Sequence, residues 1–149
     1  MREVCKGEIV RPGATRFATN HIALESLLKK KTNLKQIFTS DAWAVNRLSR
    51  TVNGKRIERR ILDVEFWDNV VSVVKIYEPL YQVLRLVDKE VVPTMPIVYE
   101  LMCVMKDTVK QQRGSKWVLN IIQDRWDKML NHPLHAAGKF YFRLFVIHN

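Results

Sequence analysis

The chain has 149 residues, of which 47% are hydrophobic and 27% charged, and its net charge is +10. This composition belongs to a globular chain rather than a disordered one, and the length suits one domain whose core needs no staples. Two cysteines, Cys5 and Cys103, far apart and in no CxxC arrangement, argue against a disulfide framework and for a reducing intracellular compartment.

Residues 1–13 read as a lead-in broken by Gly7, Pro12 and Gly13. They contain no apolar signal-peptide region. Glu8, Ile9 and Val10 suit a short strand. Residues 14–31 predict the first helix, with Thr15 as its N-cap. Phe17, Leu24, Leu27 and Leu28 fall at helical spacing there, and Glu25 and Lys29 form an i,i+4 pair. Thr32 and Asn33 predict a break. Leu34, Ile37 and Phe38 then make a short amphipathic helix. Ser40 and Asp41 cap another, DAWAVNRLS, with Trp43 and Leu48 as its apolar anchors. Val52-Asn53-Gly54-Lys55 predicts a turn, read as a loop between helices because its flanks are too charged for a hairpin.

Residues 58–87 are the longest periodic segment. Asp63 is a local cap in it. Pro79 cannot donate to the Lys75 carbonyl and predicts a kink or a break, with the persistent pattern favouring a kink. The many valines suit strands, but the three-and-four spacing decides for helix. Residues 89–96 form a connection, with Pro96 placed for the first turn of the next helix. Val98, Leu101, Met102, Met105 and Val109 give that helix one apolar face, to about Gln112, and Arg113-Gly114 ends it. Ser115 caps the following helix, whose stripe is Val118, Ile121, Ile122, Trp126, Met129 and Leu130. Asn131-His132-Pro133 ends it, and residues 134–137 make one more turn, stopped by Gly138. The tail KFYFRLFVIHN is one apolar and aromatic cluster, open between a buried strand, a short helix and an exposed surface that wants a partner. The expected fold is therefore all-α, an irregular bundle of about six or seven helices over residues 14–138. It lies between the lead-in and a tail at 139–149. No apolar run approaches the ~18 residues of a membrane span.

The charge is unevenly placed. Between positions 29 and 60 stand Lys29, Lys30, Lys31, Lys35, Arg47, Arg50, Lys55, Arg56, Arg59 and Arg60, against only Asp41 and Glu58. Such a block attracts polyanions. It is read either as a solvated basic face or as a nucleic-acid contact. Arg16 beside Phe17 is a second candidate, since an arginine with an aromatic clamps a backbone and stacks on a base.

Other constellations carry less. His132-x-x-His135 has helical spacing for a metal pair, but no cysteine is near and structural zinc wants four ligands. His21 reads as a packing or surface residue, and Cys103 as core rather than nucleophile. Asp63, Glu65 and Asp68 are close enough to hold Mg²⁺; the favoured reading is a solvated helix face. Trp43, Trp67, Trp117 and Trp126 all fit apolar helical stripes and read as core. No phosphate loop, GxSxG or HExxH motif is present. No catalytic residue, metal site or cofactor is expected.

Three blocks carry a resemblance. RPGATRFATNHIALESLLKKKTNLKQIFTSDAW, FWDNVVSVVKIYEPLYQVLRLVDKEVVPTMPIVYELM and IIQDRWDKMLNHPLHAAGKFYF stand in this order between residues 11 and 142. They resemble the middle of plant hAT-superfamily transposases. The resemblance implies an RNase H-like family fold with a large helical insertion, and metal-dependent DNA cleavage by two Asp and one Glu. The family Asp residues and a Cys-x-x-His motif lie upstream of the first block, and the family Glu lies downstream of LHAAG. This chain is thus similar to the insertion alone. A BED-type zinc finger is missing as well. Arg16 matches the arginine of the family's Thr-Arg-Trp/Phe element near the DNA end; Phe17 stands where many members have Trp. After Gly138 the family runs through Tyr/Phe-Leu-Asn-Pro, and the tail here departs from it, as a truncated or decayed frame would.

The expectation is a catalytically inactive transposase-derived fragment in the nucleus. Its residual DNA affinity would rest on Arg16, Phe17 and the basic block. The alternative is a helical interaction or dimerisation module. It would pair with itself or with a full-length transposase relative.

Overall fold

A computed structural model describes residues 9–11, 13, 18–88, 94–130, 133 and 137. The fold is all-α. Among the described residues there are seven α-helices and no strand. The Thr15 cap, Arg16, Phe17, Cys5, the connection at 89–93, the His132/His135 pair and the 139–149 tail lie outside the described residues. Ile9 and Val10 are irregular rather than strand, and the Val10 N–H donates to Ser26 Oγ at 3.3 Å. Internal contacts divide the chain into two compact units, Met1–Val74 and Lys75–Asn149.

In the first unit, α1 (Thr19–Lys29) and α2 (Lys31–Phe38) meet at Lys30. The predicted break at Thr32-Asn33 is therefore two residues late, and both residues are helical. The Lys30 N–H donates back to the Leu27 carbonyl at 3.1 Å, tightening the last turn of α1, and the Lys30 carbonyl opens α2 by accepting from the Leu34 N–H at 2.9 Å. Leu27 and Leu34 are one heptad apart. The apolar period runs straight through the turn and gives no warning of it.

The Ser40 side chain caps α3 (Asp41–Ala44) by accepting from the Trp43 N–H at 3.3 Å. This helix is one turn long, not the predicted nine residues. Asn46 takes an extended backbone and its side chain accepts from the Leu48 N–H at 2.9 Å. It thereby starts a separate 3₁₀ turn, Arg47–Arg50. The new direction leaves Leu48 60% exposed, so it is not the anchor expected of it.

The Val52-Asn53-Gly54-Lys55 segment is the first turn of α4 (Val52–Leu62), not a loop. Thr51 overrides the Asn-Gly turn signal: its hydroxyl accepts from the Gly54 N–H at 3.0 Å, satisfying one of the helix's unpaired N-terminal donors. The periodic segment from 58 to 87 is split at Asp63. Asp63 ends α4 with an extended backbone, and its carboxylate accepts from the Glu65 N–H at 3.0 Å to start α5 (Val64–Val87). The core is Leu34, Phe38, Ile61 and Trp67, with Leu27, Leu28, Ile37, Trp43 and Phe66 packed around it. His21 is buried on α1, the packing role among the two readings.

In the second unit the core is Met102, Met105, Val109, Val118, Ile122 and Trp126. It draws on the later part of α5, on α6 (Thr94–Lys110) and on α7 (Lys116–Arg125). Pro79 lies inside α5, and the helix runs through it without a break. Gly114, at φ 75°, makes the turn between α6 and α7, where a side chain would be strained. Ser115 occupies the cap position of α7 but makes no side-chain cap; its backbone is already helical, which is the wrong entry geometry for that bond.

The α7 stripe is narrower than its pattern. Val118, Ile122 and Trp126 are buried, whereas Ile121 is 53% and Met129 70% exposed. A π-helical turn follows at Trp126–Leu130. It holds more residues per turn, so three-and-four spacing no longer keeps Met129 beside Trp126. Trp117, expected in the core, is 63% exposed, because it precedes Val118 by a third of a turn outward.

Candidate nucleic-acid interface

The ten cations between 29 and 60 separate into groups once folded. Lys29 is held by Glu25 at 2.9 Å, an exposed pair of little energetic consequence. Lys31 places its amine 5.5 Å from the centre of the Trp67 ring, a cation–π contact that ties it to the core. Lys30 stands in the turn between α1 and α2, and Lys35 is half-buried in the last turn of α2. Arg47 and Arg50 are exposed in the 3₁₀ turn.

The remaining four, Lys55, Arg56, Arg59 and Arg60, are exposed on α4. At 100° per residue they cover one arc of about 140°, opposite the buried Gly54 and Ile61. Among the described residues none of the four forms an ion pair. Lys55/Arg59 and Arg56/Arg60 are like-charge i,i+4 pairs, each unfavourable by a few tenths of a kcal/mol. Arg59 and Arg60 regain part of this at the negative end of the helix dipole.

Lys55 and Arg59 turn toward α3. With Arg50 they line an open groove of about 520 Å³ whose wall also includes Trp43, Asp41 and Glu58. Trp43 is half-buried. Its ring meets Phe38 edge-to-face at 4.6 Å, and its indole N–H donates to Glu58 Oε2 at 3.1 Å. The groove hydroxyls are already used: Thr39, Ser40 and Ser49 donate to the carbonyls of Lys35, Ile37 and Asn46. Arg56 and Arg60 do not line the groove.

Sequence reasoning missed the part played by Trp43 and Glu58. They are fifteen residues apart and no local period links them. Asp63, Glu65 and Asp68 do not gather at a site: the Asp63 carboxylate is the α5 cap, and Glu65 and Asp68 are exposed. Among the described residues no three His, Cys, Asp or Glu side chains converge as a metal site would require. Cys103 is half-buried on α6. No helix of the described residues is long and apolar enough to cross a membrane. Comparison with family models, with curated proteins and with solved structures returns no match.

Proposed function

We propose that this chain is a nucleic-acid-binding helical module that works by binding rather than by chemistry. Its proposed origin is the helical insertion of an hAT-like transposase and its proposed setting the nucleus, with DNA as the partner. The observation that supports binding is the α4 arc, four exposed cations without ion partners among the described residues. A helix that tolerates like charges one turn apart gains when phosphates come between them. The proposed contacts are sequence-independent, made to the backbone of the polyanion.

The test is the salt dependence of duplex DNA binding. With about five side chains on phosphates, log K falls against log salt with a slope of about −4 to −5. Absence of binding at low salt to duplex and single-stranded DNA alike overturns the reading.

A second reading is favoured by one observation. Trp117 and Ile121 are exposed one turn apart on α7, and an apolar pair of this kind suits pairing with a second copy of the chain. Sedimentation across a concentration series is then expected to show a dimer that Trp117→Glu dissolves; a monomer at every concentration rejects it.

A further inference from the structure

We propose that the groove between α3 and α4 seats a single-stranded polynucleotide. One base stacks on the Trp43 indole, and the flanking phosphates lie against Arg50, Lys55 and Arg59. This rests on the reading that the basic block contacts nucleic acid, and it assigns the form of the strand. Three observations carry it. First, the three cations meet at one groove, and none is engaged by an ion pair or hydrogen bond among the described residues. Second, the same groove holds an indole with part of its surface uncovered. Base faces are stacked away inside a duplex and become available to an aromatic only in a single strand. Third, Glu58 accepts the Trp43 N–H on one carboxylate oxygen, which holds the indole in the groove wall and makes Glu58 a positioning residue. The groove keeps a positive balance, three cations against the carboxylates of Asp41 and Glu58. The groove volume is in the range of ligand clefts, roughly 300–1,000 Å³, a nucleotide scale.

The outer cations make the contrast. Arg56 and Arg60 lie on the same helix outside the groove. A duplex laid on the arc would use them as much as the groove residues. A strand in the groove would not.

The experiment titrates the full chain with an oligothymidylate of about a dozen nucleotides, and with a duplex of equal length, following tryptophan emission. The single strand is expected to bind at least about fivefold tighter than the duplex at one low salt concentration, with quenching. Trp43→Phe keeps a ring against Phe38 and is expected to remove most of the quench. Arg50→Gln with Arg59→Gln is expected to weaken single-strand binding about tenfold, and Arg56→Gln with Arg60→Gln no more than about threefold. Equal affinity for the duplex, with the quench intact in Trp43→Phe, overturns the groove but leaves nucleic-acid binding standing. Equal losses from the two arginine pairs do the same. Failure of both probes to bind overturns the nucleic-acid reading itself.

Discussion

Replacing Trp67 with alanine is expected to destabilise the chain by about 3–5 kcal/mol, the usual range for losing a buried Trp. That is a large share of the stability of an ordinary domain, about 5–15 kcal/mol. Trp67 is fully buried at the centre of the first core and meets Phe66 edge-to-face at 5.3 Å. Its indole N–H donates to the Ile61 carbonyl at 2.7 Å. Ile61 lies in the last turn of α4, where carbonyls lack an intrahelical partner. The indole therefore fills the core and closes a helix end in one stroke, across the Asp63 break. Trp67→Phe separates the two roles. It retains most of the apolar volume but strands the buried carbonyl, for an expected loss of about 1–3 kcal/mol. Urea unfolding followed by circular dichroism reads both. A Trp67→Phe chain as stable as the parent would remove the helix-end argument.

Gly54→Ala is the second large effect, and its sign runs against helix propensity. Alanine is favoured over glycine inside a helix by about 1 kcal/mol. At this position, however, an added Cβ would stand 1.9 Å from the Leu48 carbonyl oxygen. Both are backbone-fixed, so α4 or the Arg47–Arg50 turn must move. The expected net loss is about 1–3 kcal/mol, that of an overpacked site. Asn53→Ala, exposed in the same turn, is expected to change stability by no more than about 0.5 kcal/mol. The difference between the two urea midpoints is the measurement, and a stabilised Gly54→Ala chain contradicts the close approach. Because the Arg47–Arg50 turn brings Arg50 to the groove, this packing also holds the candidate site in shape.

Helical character was legible over most of the described residues, since three-and-four spacing survives any detail of packing; it was missed at 32–33 and at 52–55, where polar and Asn-Gly signals read as a break and a loop. Several core residues were legible on the same ground, among them Phe38, Met102, Met105, Val109, Val118 and Ile122. Capping chemistry was legible at Ser40 and Asp63, where a short polar side chain precedes an apolar run. It failed at Ser115, because the cap depends on the entering backbone and not on the residue type alone. The Lys30 turn was hidden by an apolar phase that continues across it. Trp117 and Met129 were misplaced because a stripe states which residues are apolar, not how wide a face the neighbouring helices cover.

The amino-acid sequence by itself determined an all-α chain and the run of cations between 29 and 60. Both follow from the order of residues along one dimension, through spacing and charge. Only the tertiary structure decided how those cations divide. Lys31 went to the Trp67 ring, and Arg50, Lys55 and Arg59 to one groove, whereas the Lys29–Glu25 pair was already legible at i,i+4. That division depends on a turn at Asn46, a glycine that lets α4 approach it, and an indole–carboxylate bond spanning fifteen residues. The first two set the direction of the chain locally and the third joins side chains that no local period links, and residue spacing alone states neither.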